Sequence, residues 1–335
     1  MQIYQIESEF GVNNLKRAER DRLPLGEDEV RLEIDSISLN FRDLLMVKGL
    51  YNPRQPLPLI PCSDAAGTII EIGSAVKAWK VGDVAIPSFF SNYETGLPTK
   101  EKLSQTLGGP LDGTLRESMV LPERALLRPP KNWTLAQAST LPCATLSAWS
   151  ALKSGDKLDS VLVQGSGGVS IAALQLAKSL GARVIATSSS DKKLERLKAL
   201  GADELINYRS NKDWGKEVKT LTNGVGVDIV VEVGGAGTLE QSLKAVCVGG
   251  TIAMIGVLSG VQSEVNLIPI LMRQIRIQGI IVGHKESARE LISHLERTDI
   301  RPVISDRFSF ENAIDAFRHM EGGKHFGKIL IEIKK

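Results

Sequence analysis

The sequence predicts an α/β chain in which a doubly wound parallel sheet follows a mostly antiparallel, barrel-like domain. Three observations carry that prediction. Short β-favouring runs punctuated by Pro and Gly fill the chain from Met1 to about Glu123, and apolar runs alternate with helical segments from about 135 to 282. Between them, residues 161–170 read as a buried strand, a tight glycine turn and the start of a helix.

In the first part, Val30-Arg31-Leu32-Glu33-Ile34-Asp35 and Thr68-Ile69-Ile70-Glu71-Ile72 alternate or nearly alternate, as half-buried strands do. Val81-Gly82-Asp83-Val84-Ala85-Ile86 puts a Gly-Asp turn at a strand entrance. Residues 88–113 are polar, turn-rich and aperiodic, so they are expected as a long surface excursion. The grammar changes to helix at 135–141.

Val161-Leu162-Val163 then runs into Gly165-Ser166-Gly167-Gly168-Val169, after which residues 171–180 carry apolar side chains at helical spacing and stop at Gly181. Residues 183–187 complete a β-α-β unit. A helix start at that point offers free N–H groups and partial positive charge, and glycines let a pyrophosphate approach the backbone. Ser170 stands where a third spaced glycine is usual. The glycines alone would also suit a purely structural turn; the strand before and the helix after them favour a nucleotide site. Further strands at 204–208, 227–233, 250–256 and 275–282, with helices at 194–200 and 239–245, give about six strands in the doubly wound unit. Helices at 288–295 and 312–320 and a strand at 327–333 make a tail too small for its own core, which therefore packs back on the first domain.

With 335 residues, 42% of them hydrophobic and 24% charged, the chain is long enough for two ordinary globular domains. Its net charge of +2 and the absence of a Lys/Arg-rich block argue against nucleic acid or a membrane surface as partner. Three cysteines, Cys62, Cys143 and Cys247, show no paired spacing, so a reducing compartment is expected; with no signal peptide or transmembrane-length apolar run, that compartment is read as the cytoplasm.

The whole chain resembles the medium-chain dehydrogenase/reductase superfamily. The likeness rests on Asn40-Phe41-Arg42-Asp43 followed by Gly49-Leu50-Tyr51, on residues 65–73 and 81–84, and on the glycine turn. The first of these segments is similar to the quinone oxidoreductase branch. The resemblance implies a GroES-like catalytic domain over 1–125 and 284–335, a Rossmann dinucleotide-binding domain over 126–283, and a homodimer. Residues 252–255 and 275–282 are apolar, and the latter suits a sheet edge that pairs with a second copy.

In the superfamily's zinc enzymes, three convergent Cys or His ligands leave a fourth position open. Here Asn40 matches the first ligand position and Ser63 the family's histidine, and Cys143 alone matches a thiolate. The segment matching the structural zinc lobe, 88–113, holds no cysteine, and His284, His294, His319 and His325 lack ligand spacing. No zinc is expected. Cys62 and Cys143 are read as small apolar fillers ahead of reactive thiols.

An NAD-preferring fold places a carboxylate at the end of its second strand. In this chain Thr187-Ser188-Ser189-Ser190 occupies that point, and Asp191 is the first acid. Hydroxyls at Ser188, Ser189 and Ser190 with Lys193 suit a 2′-phosphate, and Tyr208 matches a family position beside it, so NADPH is expected; the alternative is that Lys192 and Lys193 are only the solvated start of a helix. Val233, Gly234, Ile255, Gly256 and Val257 lie at strand ends where such sheets bind ligands. Thr145 and Ser147 either reach the nicotinamide or bond their own helix.

Without a Lewis acid, hydride transfer to a quinone or an α,β-unsaturated carbonyl is the expected chemistry. Asn40 is the candidate for orienting an oxygen, Tyr51 for donating a hydrogen bond or proton, and Asp43 either joins the site or only braces its loop. The alternatives are a nucleotide-binding redox sensor with little turnover and a zinc-type alcohol dehydrogenase.

Overall fold

The computed structural model describes residues 1–333, so the last two residues of the expected terminal segment lie outside it. The described residues form two compact units, 1–144 with 284–333 and 145–283. The change of unit falls at Ala144, later than 125, because the helix Leu135–Ala138 packs on strands of the first unit.

Seven strands come first: β1 (Gln2–Ile6), β2 (Leu15–Glu19), β3 (Glu29–Ser38), β4 (Asp64–Ile72), β5 (Val84–Pro87), β6 (Ser118–Pro122) and β7 (Leu126–Leu127). The second unit adds β8 (Ser160–Gln164), β9 (Arg183–Ser188), β10 (Glu204–Asn207), β11 (Val227–Glu232), β12 (Val246–Met254) and β13 (Arg276–Gly279). The chain returns to the first unit with β14 (Ile304–Ser309) and β15 (Lys328–Glu332).

In the first unit the main sheet runs β14-β15-β3-β4-β5-β7, with β6 also paired to β3, and β3 is antiparallel to β4, β6 and β15. This is the GroES-like domain. Alternation along β3 buries Val30, Leu32 and Ile34, a register shift between Ile34 and Ser36 brings Ile37 to the same core, and the tail contributes Phe310, Phe317, Ile329 and Ile331 to it, which is why the tail needs none of its own. The 88–113 segment is a surface excursion in its middle, where residues 94–105 are exposed or half-buried, but its ends are not: Phe89, Phe90 and Tyr93 are buried in an edge-to-face aromatic series, and Thr106 and Leu107 are buried too. Its aromatics and glycines pack, although they follow no period.

The second unit is a six-stranded parallel sheet in the order β10-β9-β8-β11-β12-β13, the doubly wound Rossmann arrangement. Order reverses beside β8, so the carboxyl ends of β8 and β11 flank the switch point. Val161, Leu162, Val163, Ile229, Val230 and Val231 are fully buried, as strands covered on both faces require. The last strand is shorter than the 275–282 run suggests, and it lies at the sheet edge with all four residues exposed.

Candidate active site

In the first unit the site is made by strand register. Leu330 lies opposite Ser38 across β15 and β3, and Ser38 lies opposite Asp64 across β3 and β4. Continuing that antiparallel register past the end of β3 brings Asn40 between Lys328 on one side and the Cys62–Asp64 segment on the other. The Leu39 N–H donates to Ile329 O at 3.0 Å, which holds the alignment.

Asn40 also begins the helix Phe41–Val47. Its backbone is extended, and its N–H donates to Asp43 Oδ2 at 2.8 Å, one half of a capping box. Asp43 is therefore fully buried at the third helical position, where its contacts support the bracing role. Burial is the main influence on its carboxyl and pushes the pKa up to about 6, against the lowering effect of the adjacent Arg42.

Asn40 joins a chain of side chains. The buried Lys328 donates from Nζ to Asn40 Oδ1 at 2.5 Å and to Leu39 O at 2.7 Å. Asn40 Nδ2 donates to Ser63 Oγ at 3.4 Å, the Ser63 hydroxyl donates to Asp64 Oδ1 at 2.8 Å, and Asp64 Oδ2 accepts the Cys143 N–H at 3.1 Å. Burial raises the Asp64 pKa, and Lys328 is the largest influence opposing that rise. Burial likewise pushes the Cys62 and Cys143 thiols up, so neither is poised as a thiolate.

Tyr51 follows the same helix and is 44% exposed. Its ring faces the Arg42 guanidinium at 5.0 Å, and the Phe89 ring faces the same group at 5.0 Å. Arg42 also donates to Leu107 O at 3.1 Å and Gly109 O at 3.4 Å, tying the helix to the loop that packs on Cys62. Sequence reasoning passed over Arg42 and Lys328. Arg42 stood inside the Asn-Phe-Arg-Asp segment, whereas nothing local marked Lys328.

In the second unit the site is backbone. β8 ends at Gln164, Gly165 turns the chain with φ +76°, and Gly167 caps the helix Gly168–Ser179. A Cβ at Gly165 or Gly167 would meet no protein atom within 4 Å, so open space lies over the turn at the helix start. That space and the unpaired first N–H groups of a helix fit a pyrophosphate. Ser166 is buried in the turn, and Val169 lies in the first helical turn. Ser170 explains the departure from a third glycine: its buried hydroxyl donates to Gln164 O at 2.6 Å, fastening the helix to the strand end.

Ser188 ends β9 with its side chain buried, and its carbonyl accepts the Tyr208 N–H at 3.1 Å. Ser190 caps the helix Asp191–Ala199 by accepting the Lys193 N–H at 3.4 Å, and its own N–H reaches Ser188 Oγ at 3.4 Å. Ser189 and Lys193 are half-buried. Burial first, and Arg196 second, pull the Lys193 pKa down, so two cations share this end of the sheet. Thr145 and Ser147 are both buried, Thr145 just before and Ser147 within the helix Leu146–Leu152.

Glu232, fully buried at the end of β11, was also missed. Its carboxylate accepts from Gln164 Nε2 (2.7 Å), the Gly234 and Gly235 N–H groups (2.7 and 3.0 Å), Thr238 Oγ1 (2.6 Å) and the Ser242 hydroxyl. This fixes Val233 and Gly234 beside the end of β8. Ile255 and Gly256 donate to Glu232 O, and a Cβ on Gly256 would come within 2.6 Å of Val233 O, which keeps that position glycine; Val257 follows, exposed.

Two family models match the chain: an alcohol dehydrogenase GroES-like domain over residues 26–131 and a zinc-binding dehydrogenase domain over 168–297. A zinc-type alcohol dehydrogenase-like protein of Schizosaccharomyces pombe (strain 972 / ATCC 24843) is 40% identical over 318 residues, 92% of each chain. An acryloyl-coenzyme A reductase of Sulfurisphaera tokodaii is 30% identical over 318 residues, 92% of this chain and 93% of its own. Among solved structures, an NAD-dependent alcohol dehydrogenase superposes with a TM-score of 0.91 at 34% identity, over 100% of both chains.

Proposed function

Because the chain is a nicotinamide-dependent oxidoreductase of the medium-chain dehydrogenase/reductase superfamily, we propose that it is a zinc-independent, NADPH-dependent reductase of quinones or α,β-unsaturated carbonyl compounds. The observation that carries this reading is the occupant of the metal position. Asn40 Oδ1 is taken by the Lys328 ammonium, Ser63 offers a hydroxyl already donated to Asp64, and the Cys143 thiol is held protonated by burial. Among the described residues no group of three or more His, Cys, Asp or Glu side chains is arranged to hold a metal ion. These residues do not fit a catalytic zinc, which needs three ionised or neutral-imidazole ligands with a position left open.

An acceptor that needs no Lewis acid is then the natural substrate. The bound nicotinamide supplies a hydride; the chain's own residues must steady the oxygen that gains charge and deliver one proton. In this reading Asn40 Nδ2 serves as donor to that oxygen and the Tyr51 hydroxyl gives the proton or a hydrogen bond; the exposure of Tyr51 and the contact of its ring with Arg42 support that role. The similarity to an acryloyl-coenzyme A reductase supports reduction of an activated C=C bond.

The preference for NADPH rests on the end of β9, where hydroxyls and Lys193 stand in place of a carboxylate. The partner proposed is a second copy of the chain. Leu267, Ile268, Leu271 (76% exposed) and Met272 (73% exposed) form an apolar surface beside the sheet that ends in the exposed edge strand β13. Among the described residues no helix is long and apolar enough to cross a membrane; the cytoplasm remains the proposed location.

The test is an NADPH-consumption screen with quinones, enones and enoyl thioesters, run beside elemental analysis for zinc. Turnover by metal-free protein, with NADPH preferred to NADH, is the expected result. Stoichiometric zinc with alcohol oxidation would replace this reading by the alcohol dehydrogenase one, and tight NADPH binding without oxidation by any acceptor would leave a sensor.

A further inference from the structure

The amide of Asn40 can act on an acceptor oxygen only if it is held one way round, with its nitrogen presented and its oxygen turned away. An asparagine amide has two faces of opposite character, donor and acceptor, and the two orientations differ by a simple rotation. Something must decide between them. In this pocket the deciding group comes from the far end of the chain.

Lys328 opens β15, 288 residues from Asn40, and strand register sets it opposite. The residue is 5% exposed, and its ammonium has three hydrogens, of which two point to Asn40 Oδ1 at 2.5 Å and Leu39 O at 2.7 Å. An ammonium accepts no hydrogen bond, so it tolerates only the amide's oxygen at that distance. The opposite orientation would set Nδ2 against a buried cation. On the other side, Ser63 Oγ receives the Asn40 Nδ2 hydrogen and passes its own to Asp64. Both neighbours therefore select the same orientation.

Burying a lysine is costly unless its charge is balanced and its hydrogens are used. Asp64 and Asp43, both fully buried, are the carboxylates whose fields act on it. A methionine or leucine would fill the volume without that cost. The retained ammonium thus has a task that packing does not supply.

From this geometry we infer that Lys328 is a positioning residue, whose ammonium fixes the Asn40 side chain with Nδ2 presented to the acceptor oxygen. The inference rests on the proposed reductase reading for the identity of that oxygen. The contact itself is testable without a substrate.

The experiment is a double-mutant cycle on the full chain with Lys328→Gln and Asn40→Ala, alone and together, and Lys328→Arg as the conservative variant. With an acceptor from the screen, Lys328→Gln is expected to lower kcat about tenfold with little change in KM, because a neutral amide both donates and accepts, so the charge-assisted bond is lost and the other Asn40 orientation is no longer excluded. In the Asn40→Ala background the same change is expected to have little further effect, and Lys328→Arg to retain most of the activity. Equal losses from Lys328→Gln in both backgrounds would overturn the inference. The cycle is repeated on unfolding midpoints, where the two changes must also be non-additive; additive unfolding effects would overturn it as well. A chain that reduces no acceptor ends the reductase reading, while the unfolding cycle still decides whether Lys328 holds Asn40. Lys328→Arg and Lys328→Gln both keep a donor in the pocket, so the cycle does not depend on an apolar variant that fails to fold.

Discussion

The two candidate sites are built from opposite materials. In the second unit, Gly165 and Gly167 leave open space over backbone N–H groups at a helix start, and a local stretch of chain makes the whole feature. In the first unit, Asn40, Ser63, Asp64 and Lys328 fill their pocket with side chains drawn from just past the end of β3 and from the beginnings of β4 and β15. The glycine turn, residues 165–169, consists of backbone and open space and has no charged side chain of its own. A site of paired buried charges tolerates shape changes poorly and is also sensitive to pH.

The largest expected effect tests that sensitivity. Asp43 has a pKa of about 6 in the fold, above its ordinary value of 3.8, because it is buried. A raised carboxyl contributes stability that is fully present below about pH 4 and is lost as pH rises through about 6. Asp43→Asn keeps an oxygen to accept the Asn40 N–H but cannot ionise. Between about pH 4 and pH 8 the stability of wild type should fall by about 2–3 kcal/mol relative to that variant, measured by urea unfolding at each pH. A constant difference would show that the pocket's charges are better solvated than its burial indicates.

The next prediction concerns the other site. Gly167 has ordinary φ and open space where a Cβ would stand, so Gly167→Val should leave the fold intact and cost only about 1 kcal/mol of stability, for a poorer helix cap. The same bulk occupies the space proposed for the pyrophosphate. Nucleotide affinity, followed by fluorescence or calorimetry, should fall about a hundredfold or more. Retained affinity would mean that the open space is not the nucleotide's.

Tyr51→Phe lies between the sites in expected size. It keeps the ring that faces Arg42 and removes only the hydroxyl. A loss of about tenfold in kcat/KM with unchanged NADPH affinity is expected for a lost donor to the developing charge. If kcat/KM is unchanged, the proton comes from water.

The same contrast explains what the sequence revealed. The glycine turn was legible because its parts are contiguous and glycine has few other reasons to recur there; the two-unit architecture was legible from the change of period near residue 135. Asn40 and Tyr51 were legible only through a resemblance. Lys328 was hidden in an ordinary strand, Gly327-Lys328-Ile329-Leu330-Ile331, since its meaning depends on a register formed across 288 residues. Glu232 was hidden for a related reason: Gln164 reaches it only once β8 and β11 lie side by side, and its other donors, the Gly234 and Gly235 amides and the Thr238 and Ser242 hydroxyls, converge only when the turn and helix after β11 form. The 88–113 segment misled only at its buried ends, because aromatic packing has no period.

Ser170 is where the two kinds of site meet, and it gives the smallest prediction. It belongs to the backbone-built turn, yet it works by a side chain: its hydroxyl occupies Gln164 O at the end of β8, a carbonyl that would otherwise lack that partner at the point where the helix leaves the strand. Gln164 in turn holds Glu232, so the bond links the turn to the clamp on Val233 and Gly234. Ser170→Ala removes one buried neutral hydrogen bond and should cost about 1 kcal/mol of stability. Ser170→Gly restores the usual glycine pattern but loses the same bond and adds backbone entropy, so it should cost about 0.5–1 kcal/mol more. If glycine here proves as stable as serine, close packing alone sets the residue; if it is weaker than alanine, the serine is a fastening that this chain uses in place of the glycine.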